Sequence, residues 1–245
     1  AAKAKVLVKE LKPILTIEEA LEAQSFVMPA KGIVRGDAAA AIAAAPRKIK
    51  GTTRTGQQEQ FYLEGQITYA VPREDGQLTL YCSTQHPDGN QREAAAALNL
   101  TTHDVEVICR RMGGGFGGKE DIAGQIHAAM LANVTGQPVK LLFDRHESLI
   151  VHPKRHATQI NVKLGAKKDG TLVAAKTELY GDTGAYASLG EKVLTRATTH
   201  SAGPYQIQHV HADCYAMYTN NPPAGAFRGF GVLQSAFAVE SMMDM

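Results

Sequence analysis

Arg110-Arg111-Met112-Gly113-Gly114-Gly115-Phe116-Gly117-Gly118-Lys119-Glu120 is the stretch on which the fold reading turns. The apolar run Val105 to Cys109 leads into it and reads as a strand, and the helical pattern Ile122 to Leu131 leads out. Five glycines fall in the six positions from Gly113 to Gly118, a density hard to justify as packing. Glycine costs conformational entropy and is kept where φ is positive or the backbone must approach something closely. At a helix start, such a loop would also present free N–H groups and the positive end of the helix dipole. The expectation is a backbone cradle for an anionic or oxygen-rich ligand.

Two general motifs fit parts of the loop. Gly113, Gly115 and Gly118 satisfy G-x-G-x-x-G, and Asp144 follows the next apolar run, Val139 to Phe143. However, Arg110-Arg111-Met112 separates the glycines from the strand, and the acid comes late. Gly113 to Lys119 also fits G-x-x-x-x-G-K. There Glu120 stands where a hydroxyl should meet Mg²⁺, and its carboxylate would repel a triphosphate. A nucleotide-binding module built on Gly113 to Gly118 stays open at this point, as does a glycine turn with no ligand.

Composition narrows the classes. The 245 residues carry a net charge of +2 with the signs interspersed, so nothing points to nucleic acid or a membrane surface. No apolar stretch is long enough to cross a membrane, and Ala1 to Leu11 lacks the apolar core of a signal peptide. The three cysteines, Cys82, Cys109 and Cys214, form no C-x-x-C. They read as free thiols in a reducing cytoplasm and are too few to hold an iron–sulfur cluster. The nine histidines give no metal set: His146-Glu147 opens like H-E-x-x-H but ends in Ile150. His209, His211 and Asp213 read as the solvated face of a strand, and no protein-ligated metal is assigned.

Taken in order, Lys5 to Val8 could form an edge strand. Thr16 to Glu19 is a capping box opening a short helix, and Asp37 caps an alanine-rich helix stopped by Pro46. Strands are expected at Arg47 to Thr55, Gln66 to Val71 and Leu78 to Cys82, the last two joined by the Asp75-Gly76 turn. Asp88 to Leu98 reads as a helix. Beyond the glycine loop, Thr158 to Leu164 and Leu172 to Tyr180 form a second hairpin around Asp169-Gly170. Helix, turn and strand follow to Tyr218. The closing helical pattern, Gln234 to Met245, has no Gly, Asn or Pro stop, and more chain is expected beyond it. Strands and helices alternate irregularly, so the fold class is α+β with mixed sheets and packed helices.

Outside the loop, two residues draw attention. Gln85 stands where the strand Leu78 to Cys82 gives way to a helix, as a turn amide or as a donor aimed into a site. Arg228, in Ala226-Phe227-Arg228-Gly229-Phe230-Gly231, is a surface cation or one placed to meet a carbonyl or developing oxyanion. Glu120 is itself either a helix-start acid or a carboxylate beside a ligand.

The segment Arg111 to Glu120 resembles the pterin-cofactor loop of the molybdenum hydroxylases, the xanthine dehydrogenase and aldehyde oxidoreductase family. Ser83-Thr84-Gln85, the Ala226 to Gly231 segment and Gln58-Glu59-Gln60-Phe61-Tyr62-Leu63-Glu64 are similar to further family segments, the last read as structural near the cofactor. The resemblance covers nearly the whole chain and is closest to xanthine dehydrogenase. It implies residues 1–46 as the tail of a preceding small α/β domain plus connector, and 47–245 as the first molybdopterin-binding domain. It implies a molybdenum–molybdopterin cofactor contacted by Gln85, Gly114, Gly115, Phe116, Gly117 and Arg228, with Glu120 and Arg228 orienting the substrate. The reaction implied is hydroxylation of an electron-poor carbon with water as oxygen donor, with electrons passing to [2Fe–2S] and FAD on partner chains or domains. In the family the glutamate base lies further along, on a second molybdopterin-binding domain or subunit, so these residues would hold half a site. Glu120 with Arg228 favours a purine. Nicotinate or another N-heterocycle follows, then an aldehyde.

Overall fold

The computed structural model describes residues 5–245. Its strands are β1 (Lys31–Arg35), β2 (Arg47–Thr55), β3 (Ile67–Pro72), β4 (Leu78–Cys82), β5 (Val105–Ile108), β6 (Val139–Leu142), β7 (Ala157–Ala166), β8 (Leu172–Asp182) and β9 (His209–Met217). Its helices are α1 (Ile17–Glu22), α2 (Ala38–Ala44), α3 (Pro87–Leu98), α4 (Gln125–Thr135), α5 (Arg145–Val151), α6 (Gly190–Thr199) and α7 (Val232–Met243). Among the described residues no helix is long and apolar enough to cross a membrane.

The strands make two mixed sheets, ordered β1-β9-β8-β7-β2 and β5-β4-β3-β6. Each sheet has one parallel pair, β8 with β9 and β4 with β5. A parallel pair needs a crossover, and α6 and α3 supply them. Two of the antiparallel pairs, β3 with β4 and β7 with β8, are hairpins closed by short turns. Asp75 at φ 55° and Gly76 at φ 77° make the mirror-image turn that suits a right-twisted hairpin. In the larger sheet the consecutive residues Ala174 and Ala175 are both buried, because α2 covers one face while α6 and α7 cover the other. One core gathers Ile160, Val162, Leu179, Leu194, Ala238 and Met242. A second packs Ala70, Leu80 and Val105 against alanines of α3 and α4.

Two expectations are corrected. Residues 5–8 make no strand. The helix after the glycine loop starts at Gln125 rather than Ile122, because residues 117–120 fold into turns closed by Gly118 N–H to Gly115 O (2.8 Å) and Glu120 N–H to Gly117 O (3.2 Å). Ahead of residue 47, β1 pairs with β9 along its length, and α2 lies on β7, β8 and β9.

What ties the sheets together is the irregular segment 56–66. Lys119, the residue after the glycines, is fully buried. Its ammonium donates to Glu64 Oε2 (2.6 Å) and Ser83 Oγ (2.7 Å) and lies over the Tyr62 ring. Glu64 also accepts from Gly113 N–H (3.1 Å), and Gln66 Nε2 donates to Gly118 O (2.7 Å). Burial alone would raise the Glu64 carboxyl, but the bonds from Lys119, Ser83 and Gly113 outweigh it and hold it below the ordinary range.

The ion pair is lopsided, which sets an expected order of mutational costs. The Lys119 side chain has no exposure and that of Glu64 has 37%. Glu64→Leu strands a buried ammonium and should cost about 3–5 kcal/mol. Lys119→Met leaves a carboxylate that water can reach and should cost clearly less, as read from denaturant midpoints. A second expectation concerns pH. His156, fully buried, has its pKa pushed down to about 4 by burial, and burial followed by the Lys154 charge pushes His152 down to about 4 as well. The unfolded chain takes up protons at an ordinary 6.5, whereas the fold excludes them. Stability is therefore complete above pH 6.5 and falls toward pH 4, by roughly 1.4 kcal/mol per pH unit for each imidazole. A His156→Gln variant should show a shallower slope across that window in equilibrium unfolding.

Candidate functional site

The glycine loop leaves β5, on the smaller sheet, and the Ala226 to Gly231 loop leads into α7, on the larger one. They meet through Arg228 N–H donating to Phe116 O at 2.9 Å. Gln85, Phe116, Gly117, Glu120, Ala226, Phe227, Arg228 and Phe230 line a cavity of about 390 Å³ at that junction. Five candidates from the sequence therefore share one cavity: Gln85, Phe116, Gly117, Glu120 and Arg228. Gly114 and Gly115 do not line it and sit behind it. A larger hollow of about 1170 Å³ runs beside β4 and β5, but no candidate residue lines it.

Gln85 closes the loop onto its own helix entry. Its Oε1 accepts from Gly117 N–H (2.8 Å) and Lys119 N–H (3.3 Å), and its N–H donates to Lys119 O (2.8 Å). The Nε2 makes no hydrogen bond among the described residues, so a donor is left at the cavity wall. The amide serves the turn through its oxygen, and its nitrogen is uncommitted among the described residues. The N–H groups of Gly114, Gly115 and Phe116 are likewise without partners among the described residues.

The glycines are needed for close approach, so the view that packing cannot explain them is corrected. A Cβ on Gly115 would lie 2.5 Å from Gln85 Oε1, and one on Gly118 would lie 2.6 Å from Tyr62. Gly117, at φ 102°, would put one 2.6 Å from Ala226 O. The loop also does not enter a helix directly, so its free N–H groups are those of a turn and not of a helix end. Lys119 points into the core toward Glu64. The reading of Gly113 to Lys119 as a triphosphate loop is overturned by this, because the lysine that should reach phosphate is buried and paired. The dinucleotide reading loses its strand–glycine–helix geometry, because turns separate the glycines from a helix that starts only at Gln125.

Two charged side chains remain uncommitted. Neither the Glu120 carboxylate nor the Arg228 guanidinium makes a hydrogen bond or ion pair among the described residues, although both line the cavity. Phe116, 47% exposed, and the half-buried Phe227 and Phe230 add apolar ring faces. The arrangement suits a flat, polar-edged ring, with donors on one side and an acid and a cation on the others. No group of His, Cys, Asp and Glu able to hold a metal occurs among the described residues.

Sequence reasoning missed the supports. Gln60 Nε2 donates to Ala226 O (2.7 Å) and Gln66 reaches Gly118 O, so one segment grips both loops. Arg155 stacks on Phe227 at 3.8 Å and donates to Arg228 O at 3.2 Å. The Gln58 to Glu64 segment carried a signal through its family likeness, but Arg155 carried none.

Residues 22–245 match the molybdopterin cofactor-binding domain family. The chain is 40% identical over 243 residues to the nicotinate dehydrogenase large molybdopterin subunit of Eubacterium barkeri, covering 96% of this chain and 57% of that one. It is 38% identical over 248 residues to xanthine dehydrogenase/oxidase of Gallus gallus, covering 100% of this chain and 18% of that one. The aldehyde oxidoreductase of Desulfovibrio gigas superposes with a TM-score of 0.92 at 28% identity, covering 98% of this chain and 28% of that chain. The chain thus spans little more than half of one such relative and under a third of the others. With the family match over nearly its whole length, this chain belongs to the molybdopterin cofactor-binding domain family.

Proposed function

We propose that this chain forms the cofactor-facing and substrate-facing wall of a hydroxylase that oxidises a purine-type N-heterocycle, with water as oxygen donor. The observation that carries the reading is that Glu120 and Arg228 line one cavity and neither is committed elsewhere. A purine offers an N–H edge to a carboxylate, a carbonyl or ring nitrogen to a guanidinium, and two flat faces to Phe116 and Phe230.

The residues present fit a molybdopterin. The free N–H groups from Gly114 to Phe116 and the Gln85 Nε2 are donors suited to oxygen ligands, and the close approach at Gly115 admits no side chain. When bound, the cofactor supplies the two-electron redox chemistry, and the protein supplies position and electrostatics. Gln85 Nε2 and the Phe116 N–H would hold its oxygen side, while the Gly117 N–H is taken by Gln85 Oε1. Glu120 and Arg228 orient the ring. The three cysteines are all free, fewer than a cluster needs, so electrons leave through [2Fe–2S] and FAD on partner chains or domains. The free thiols also support a cytoplasmic setting. The base and the remaining pterin contacts come from a second molybdopterin-binding domain or subunit, and these 245 residues alone do not turn over.

A second reading, nicotinate, is favoured by the Eubacterium barkeri relative. Its carboxylate would pair with Arg228 but would face Glu120 unfavourably, so the two substrates respond oppositely to neutralising Glu120. In the holoenzyme with its partners, hypoxanthine or xanthine should be turned over with the higher kcat/KM. Glu120→Gln should lower that value by about 10- to 100-fold, mainly through KM, and leave nicotinate unchanged or improved. A wild type that prefers nicotinate, or a Glu120→Gln variant with unaltered purine kinetics, would overturn the purine assignment.

A further inference from the structure

Arg228 is held at both of its backbone groups. Its N–H is taken by Phe116 O on the glycine loop at 2.9 Å, and its C=O accepts from Arg155 Nη2 at 3.2 Å. The residues after it are conformationally costly. Gly229, Phe230 and Gly231 all have positive φ, at 95°, 47° and 92°, and a phenylalanine enters that region only when its surroundings compel it.

Arg155 is built to compel it. It is 6% exposed, and its guanidinium plane lies 3.8 Å from the centre of the Phe227 ring. Its Nε donates to Gln58 Oε1 at 2.8 Å, and its backbone N–H donates to Gln58 O at 2.9 Å. The preceding residue bonds the other flank: Lys154 N–H donates to Pro223 O (2.9 Å) and Gly225 N–H to Lys154 O (2.8 Å). The chain at 154–155 is thus a short rung between residue 58 and residues 223–225, where the Arg228 loop begins. Glu59, the nearest acid in sequence to Gln58, is already paired with His152 and Lys154. Arg155 makes no ion pair among the described residues, and its Nη1 is buried without a partner. A buried guanidinium that answers no carboxylate is not there to neutralise charge. What it does is stack one ring and clamp one carbonyl.

We propose that Arg155 is a positioning residue that sets the substrate specificity of the site by fixing the Phe227–Arg228 backbone, and through it the reach of the Arg228 guanidinium. The inference rests on Arg228 as a substrate contact. A flat fork that stacks and bonds at its edge cannot be replaced by an ammonium, so charge alone does not substitute for it.

The test uses the holoenzyme with its partners and whichever substrate the wild type turns over fastest. Arg155→Lys and Arg155→Met should each raise KM about tenfold or more while kcat stays within about threefold, with molybdenum per chain unchanged. Hydrogen exchange at the amides of residues 228–231 should quicken in both. Gln58→Ala, at an exposed position that spares the core, should shift KM in the same direction by a smaller factor. Added to Arg228→Met, either Arg155 substitution should change KM by less than about twofold further, because both act through one contact. Wild-type KM in Arg155→Lys would overturn the proposal, as would independent, multiplying effects with Arg228→Met. So would loss of molybdenum in all three variants, which would mark a role in holding cofactor. If Arg228→Met raises KM and Arg155→Met does not, the inference fails alone. If Arg228→Met leaves KM untouched, the substrate reading of Arg228 fails and takes the specificity role of Arg155 with it.

Discussion

A buried ammonium without a partner is among the costliest things a fold can contain, and the environment of Lys119 is organised by that constraint. Its three donors need acceptors in a place water does not reach. Glu64 supplies one from the segment before β3, and Ser83 supplies another from the end of β4. Once Lys119 is fixed, Gly118 and Gly117 have little freedom left, and Gln85 can bond two N–H groups of the same turn. The position of the cavity follows from these bonds. The loop is thus a rigid turn braced from beneath, and its free N–H groups are available because the bracing uses other atoms.

The second loop is held by the same logic with different chemistry. Gln60 and Arg155 bond carbonyls at Ala226 and Arg228, and both come from the irregular chain between the two cores. A site built where two sheets meet needs connectors that are rigid without being regular. Buried amides and a guanidinium meet that need, because each makes directional bonds to backbone that has left a ladder. His152 extends the network, reaching Gln60 and Ser148 while burial keeps it uncharged near neutrality. Beside this network, the side chains of Glu120 and Arg228 line the cavity with no bond to it.

Much of the fold was legible because local chemistry and global packing agree. Thr16 with Glu19, Asp37, Asp75-Gly76 and the alternation along β7 and β8 each encode their own geometry. The misses share a cause, which is that long-range partners leave no local mark. Nothing near residue 119 announces that its lysine turns inward to residue 64. The helix start was placed early because Ile122 and Ala123 continue an apolar rhythm, whereas the backbone there is still completing turns. β1 has no strand reading in the sequence, and it is a strand through its pairing with one about 180 residues later. At the site the cavity-lining residues were legible through motif likeness. Of their supports, Gln60 lay in a segment marked by the same likeness, whereas Gln66 and Arg155 were not legible, since they act on backbone atoms whose positions no residue pattern specifies.

Two kinds of precision separate cleanly here. The free donors of the glycine loop and its neighbour are backbone N–H groups and one amide, and a Cβ on Gly115 or Gly117 would collide with what lies against it. The side chains of Glu120 and Arg228 and the aromatic faces line the cavity without bonding to the bracing. They can therefore change identity without disturbing it, and under the proposed function that separation would let substrate choice vary while the cofactor contacts stay. The two charged groups also differ in their footing. Glu120 sits on the rigid turn, so its charge has a fixed place. Arg228 sits on a strained loop, so the reach of its guanidinium is only as good as the clamp that holds residues 227–231.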